Sequence, residues 1–177
     1  MVGLLWAAAV VLGVAGLSKL ARPASTVDAL TAARIPAARV LASTATVRVA
    51  GATELGVAGY VLGWGGSPAV ALLGVCYLIL TVVAWRMLLV SPGQDCGCFG
   101  RSSEPITRWH LLVDIAGLSI GVAATLWPQP SVVDEVTGQG AQGVLVVALS
   151  LLLAWLCYLL MTALPALGNL RAKVASR

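Results

Sequence analysis

PAVALLGVCYLILTVVAWRMLLV, residues Pro68 to Val90, is an apolar run in which Arg86 is the only charged residue. A helix over this run is long enough to cross a hydrocarbon core of about 30 Å, which needs about 20 apolar residues. Outward from it lie four more runs of the same character: Val2 to Leu20, Val40 to Leu62, Thr107 to Trp127 and Val144 to Leu164. Composition agrees. Of 177 residues, 59% are hydrophobic and 10% charged, whereas soluble domains carry about 25% charged residues. A soluble fold of this size has too little interior to hide so much apolar surface. The chain is therefore read as an all-α, polytopic bundle in a lipid bilayer, at the cell (plasma) membrane.

Met1 to Leu20 lacks the charged n-region of a secretory signal and carries Lys19 after its apolar run, so it reads as the first span. Arg22-Pro23 and Ile35-Pro36 bracket Ala24 to Arg34, too short and polar to cross, where an interfacial turn or short helix is expected. Gly63 to Pro68 is a tight turn rich in helix breakers. Pro128 to Gly143 is an acidic connection.

The formal charge of +4 does not point to nucleic acid, because the basic residues gather at the ends of apolar runs. Lys19, Arg22, Arg34, Arg39 and Arg48 lie in or beside the first connection, and Arg86, Arg101 and Arg108 flank the second. Arg171, Lys173 and Arg177 form a basic tail, and with five spans all three regions fall on one face. The positive-inside rule assigns that face to the cytoplasm. Trp6, Trp64 and Trp127 are expected at the opposite interface, and Trp85 and Trp109 at this one.

The second connection holds Asp95-Cys96-Gly97-Cys98-Phe99-Gly100. A disulfide across a single residue strains the preferred geometry, and strain makes such a bond easier to reduce and suited to exchange. Gly97 and Gly100 supply backbone freedom, and Phe99 is expected to hold the loop at the lipid interface. A helix starting near Thr107 would bring its dipole close to Cys98, and Arg101 and Arg108 add positive charge, all favouring thiolate. His110 and Asp95 are the nearby groups able to move a proton or orient attack. Two rival readings stay open: a metal site in which Asp95 or His110 joins two sulfurs, a weak zinc pattern, and a structural loop with small apolar cysteines.

Ionisable residues inside the runs are costly. Glu54 reads either as a proton-relay or quinone-site residue or as a brace to Lys19 or Arg48. Asp114 is matched in depth to Arg48, which suggests a structural pair. Cys76 and Cys157 have apolar neighbours and read as packing residues, while Gly51, Ala52, Gly56 and Gly59 permit close helix approach. Trp109 is placed beside the loop, where it could stack on a quinone ring.

Three motifs occur in order: Gly16-Leu17-Ser18-Lys19-Leu20 closing the first span, Glu54-Leu55 in the second, and Cys96-Gly97-Cys98-Phe99-Gly100 before the fourth. Together they resemble the methylamine utilisation protein MauE family, grouped with DoxX-like membrane proteins, from the first span to about Trp127. The resemblance implies a four-helix core over residues 1–127 with its cysteine loop at 91–104, broadly similar in plan to vitamin K epoxide reductase. A connection at 128–143 and a fifth span with tail at 144–177 follow. Cys96 and Cys98 match the family's paired cysteines, and Lys19 and Glu54 its recurrent charged positions. Implied with them are thiol-disulfide exchange with a thioredoxin-like partner during maturation of methylamine dehydrogenase or other exported proteins, and by analogy a quinone. Service to exported proteins places the loop outside, opposite to the side the charge pattern favours. Metal binding or delivery and a non-catalytic membrane scaffold are the alternatives.

Overall fold

The computed structural model describes residues 1–33, 42–91, 93–94, 96–97, 99, 105–127 and 129–175, with side chains through Leu164. The described residues form seven helices and no strand: α1 Val2–Ala21, α2 Pro23–Ala32, α3 Thr44–Gly63, α4 Gly66–Val90, α5 Arg108–Ala124, α6 Val132–Gln139 and α7 Ala141–Ala175. Three stretches are long and apolar enough to cross a membrane: α1, α4 and residues Ala141–Leu164 of α7. α3 and α5 are less apolar, and each is packed along one of these helices, α3 on α1 and α5 on α4, in the two most extensive helix contacts.

Local sequence explains the breaks. α1 ends at Ala21, and Pro23, which has no N–H to offer, opens α2 within its first turn. Ser43 starts α3 by accepting a hydrogen bond from the Thr46 amide at 3.1 Å. Between α3 and α4, Gly65 and Gly66 take φ of +65° and +81°. A side-chain carbon at Gly65 would lie 2.6 Å from the Gln129 carbonyl, which instead accepts from the Gly66 amide at 3.1 Å. Within the acidic connection expected over residues 128–143, Val132–Gln139 is helical. Ser131 and Asp134 cap it reciprocally, the Ser131 hydroxyl donating to the Asp134 carboxylate at 2.7 Å and accepting from its amide at 3.1 Å.

Lipid tails are as apolar as leucine, so helices associate in a bilayer through close packing and polar contacts. α1 and α3 run antiparallel and touch at Gly16 and Gly51: a carbon added to either would sit 2.6 or 2.7 Å from the other's carbonyl oxygen. α5 approaches α4 as closely. Gly121 faces the Gly74 backbone, and Gly117 lies under the ring of Tyr77. The Tyr77 hydroxyl donates to the Ala8 carbonyl at 2.8 Å and so fastens α4 to α1. α7 lies parallel to α1, with Gly3 beside Ser150, and Ala7 and Val11 clustered with Ala154.

Contacted by α2, α3, α5 and α7, α1 is the centre of the bundle. Its Trp6 is 1% exposed, which corrects the expectation that it marks an interface; Trp64, Trp85, Trp109 and Trp127 are exposed, as belt residues are. Leu5, Leu12, Val61, Val70, Leu73 and Tyr77 belong to one apolar core, and a second, beneath α2, is built from Ala29, Ala33, Ala84, Met87, Cys96 and Ile106.

Of the small residues expected to bring helices together on α3, only Gly51 is at the contact; Gly56 and Gly59 have open space around them and Ala52 is exposed. Gly16→Ala or Gly51→Ala should therefore cost about 1–3 kcal/mol by forcing α1 from α3, while Gly56→Ala and Gly59→Ala leave stability unchanged or slightly raised. Thermal unfolding in detergent, followed by tryptophan fluorescence, distinguishes the two pairs.

Candidate functional site

One end of the bundle gathers the residues with chemistry. The first of these, Lys19, is in the last turn of α1, one turn beyond Gly16. Glu54 faces it from α3, one turn beyond Gly51. The close helix crossing brings the two side chains together: the Lys19 ammonium donates to both carboxylate oxygens of Glu54, at 2.8 and 2.6 Å. Both residues are buried, Lys19 5% and Glu54 7% exposed. Of the roles read for Glu54, the geometry delivers the brace to Lys19.

Asp114 does not pair with Arg48. Arg48 is exposed on α3, whereas Asp114 is buried in α5, within electrostatic reach of Lys19 and Glu54 but without a hydrogen bond or ion pair among the described residues. Equal depth is not enough for a pair when the two side chains leave their helices in different directions. The buried stripe of α5 runs His110, Asp114, Gly117, Gly121 and Ala124, the spacing of one helical face. Because Gly121 meets Gly74 and Gly117 meets Tyr77, the antiparallel register carries Asp114 and His110 toward the Thr81 to Met87 end of α4.

His110 is 1% exposed at the start of α5. The Thr107 amide donates to its Nδ1 at 3.3 Å, and the Thr107 hydroxyl lies 3.0 Å from the same atom. An accepting Nδ1 puts the proton on Nε2. That Nε2 is buried and has no hydrogen-bond partner among the described residues. His110 thus anchors the helix start with one nitrogen and keeps a donor on the other. Arg108, expected to favour a thiolate, is exposed in the same turn. Asp95, Cys98 and Arg101 lie outside the described residues.

Cys96 is 5% exposed and packs in the core beneath α2 with Ala29, Ala33, Met87 and Ile106. Gly97 follows at φ +65°, in the left-handed region that favours glycine. A side-chain carbon there would overlap the Ser25 carbonyl on the first turn of α2. The Gly97 carbonyl accepts from the Thr26 hydroxyl at 3.0 Å and lies 3.5 Å from that of Ser25. Phe99, expected to hold the loop, meets Tyr158 of α7 edge to face at 5.3 Å. Thr26, Ser25 and Tyr158 carry no motif that distinguishes them in sequence, so only the fold reveals their contacts with the loop.

Cys76 and Cys157 are half-buried unbridged thiols among apolar side chains. Among the described residues no three histidine, cysteine or acidic side chains gather to hold a metal. Neither of two spaces lined by described residues matches a quinone. The cleft between α1, α4, α5 and α7 holds about 80 Å³, less than the roughly 150 Å³ cavity that accommodates benzene. Its one hydroxyl, on Tyr77, already donates to Ala8. The larger groove on α7 is lined by leucines, Cys157 and Ala163, with no strong donor for a carbonyl. Trp109 is exposed and lines neither space.

Removing Lys19 would leave Glu54 and Asp114 buried with no cation beside them. Lys19→Met is expected to cost about 3–5 kcal/mol, and Lys19→Met with Glu54→Leu to recover most of that loss, because an apolar pair replaces a buried ion pair at little net cost. Thermal midpoints of the single and double variants in detergent measure the difference.

No curated protein and no solved structure matches the chain. The family described as methylamine utilisation protein MauE matches residues 1–128, which include α1 to α5, the Lys19–Glu54 pair and both loop cysteines. The chain is a member of the MauE family of membrane proteins.

Proposed function

We propose that this protein is a multi-pass membrane thiol-disulfide exchange protein in which Cys96 and Cys98 cycle between dithiol and disulfide with a thioredoxin-like partner. The observation that carries the reading is the setting of Cys96. It is buried in a small core at the end of the bundle and is followed by a glycine at positive φ whose carbonyl accepts from the Thr26 hydroxyl of α2. Family membership supports the bilayer setting, and α3 and α5 are taken to cross the membrane alongside α1 and α4.

Exchange proceeds in two displacements. One thiolate of the pair attacks a partner disulfide, forming a mixed disulfide and releasing one partner thiolate. The other thiolate then attacks the mixed disulfide, closing the Cys96–Cys98 bond and releasing the second partner thiolate. Two electrons pass from this protein to the partner, and the released thiolates take up the protons given up by the pair. The reverse sequence oxidises the partner. Because Cys96 is enclosed, it is assigned the second displacement, and Cys98 the encounter with the partner. His110, whose Nε2–H has no partner among the described residues, is the group assigned to proton movement. Lys19 and Glu54 hold α1 and α3 together around the site. The substrates proposed are proteins undergoing maturation.

Cys96→Ala should accumulate a mixed disulfide between Cys98 and a thioredoxin-like protein, released by reductant. Cys98→Ala should accumulate much less, and the double variant none. Non-reducing gels of acid-quenched cells with mass spectrometry of the captured species check this, and no adduct in either single variant refutes exchange.

A further inference from the structure

The loop around Cys96 is tied to α2 by a hydrogen bond and by packing. The Thr26 hydroxyl, on a buried residue, donates to the Gly97 carbonyl at 3.0 Å, whereas the Ser25 hydroxyl donates to the Arg22 carbonyl at 3.0 Å and lies 3.5 Å from the Gly97 oxygen. Ala29 and Ala33, from the end of α2 and the residue after it, pack in the core that contains Cys96. At the far end of α2, the Ser91 hydroxyl at the end of α4 donates to the Ala32 carbonyl at 2.7 Å. Both ends of this ten-residue helix are therefore held to the segment that carries Cys96.

Among the described helices it is otherwise lightly fixed. Its packing on α1, α3 and α4 is slight beside that of α1 on α3 or α4 on α5. Its few buried residues include Thr26 and Ala29, so little apolar area holds it down, and Arg22-Pro23 separates it from α1. Elements with few buried contacts open at low free energy. Among the described contacts, the Thr26 and Ser91 hydroxyl bonds are the ones that fasten its two ends to the loop side of the bundle.

We infer that α2 is a latch over Cys96, fastened by Thr26 to Gly97 and by Ser91 to Ala32, and that it must lift for the Cys96 sulfur to become reachable and for the Gly97 backbone to rearrange. The inference deepens the exchange reading by naming the element that controls its inner sulfur. Thr26 and Ser91 act through Cys96 and Gly97 and are positioning residues. The latch makes the timing of the second displacement depend on a local opening rather than on thiol chemistry alone.

The test is the rate at which a soluble maleimide labels Cys96 in reduced, full-length protein with Cys98 replaced by serine, in detergent. Peptide mass spectrometry separates Cys96 from Cys157, which serves as the internal control for global loosening. Thr26→Val should speed Cys96 labelling about fivefold, the effect of one lost hydrogen bond on an opening equilibrium. Thr26→Ser should restore the slow rate, and Ser91→Ala should accelerate Cys96 independently, all with Cys157 unchanged. Equal Cys96 rates in the parent, Thr26→Val and Ser91→Ala overturn the latch, as does acceleration of Cys96 and Cys157 together. Labelling does not depend on exchange, so a failed latch leaves the mixed-disulfide test intact, and failed trapping leaves the latch measurable.

Discussion

A salt bridge from Lys19 to Glu54, closed inside the bundle, governs the arrangement of everything around it. Two charges removed from water are tolerable only when they meet with good geometry, and the bidentate contact at 2.8 and 2.6 Å meets that demand. That geometry requires two helices whose backbones nearly touch, which Gly16 and Gly51 permit one turn away. Glycine contact and ion pair are parts of one device: the first sets the distance between helix axes, the second sets their register. Shifting α3 by one residue along α1 would swing Glu54 about 100° away from Lys19.

This device also fixes the end of the molecule where the cysteine loop is held. α1 continues past Lys19 into the break at Arg22-Pro23 and then into α2, so the position of the ion pair determines where α2 begins. The loop returns from α4 beneath that helix, and α5 starts from the same end with His110 turned inward. The thiol site is therefore built on the ends of several helices, with its precision supplied by packing deeper in the bundle. Such sites combine a rigid base with a cover of lower stability.

Hydropathy made α1, α4 and most of α7 legible, because an apolar run bounded by glycine, proline or charge has few alternatives to a helix of matching length. The short helix after Arg22-Pro23 was legible from its breakers. Lys19 with Glu54 was accessible from the cost of isolated buried charge, which forces a search for a partner. Arg48 with Asp114 was not, because depth counted along a sequence gives height in the bundle and says nothing of azimuth. α3 buries Val47, Gly51, Glu54 and Ala58 on one face, and Arg48 leaves from another. α6 carried its own signal in Ser131 and Asp134, a reciprocal cap that an acidic, glycine-containing stretch conceals. Trp6 misled because aromatic belts assume that a side chain faces lipid, whereas Trp6 lies on the face of α1 that packs against the other helices. The contacts of Cys96 depend on α2 folding back over a distant loop, a long-range fact that no local pattern encodes.

Phe99 rests on Tyr158, and Tyr158 belongs to a helix beyond the stretch matched by the family. The portion matched by the family thus leans on an element downstream of it. During synthesis the cysteine loop emerges long before its aromatic support, since about 60 more residues must follow Phe99 before Tyr158 is made, several seconds at ordinary elongation rates. In that interval the newly made thiols lack their final wall. The order of chain growth therefore makes Tyr158 the last of the loop's described neighbours to be synthesised.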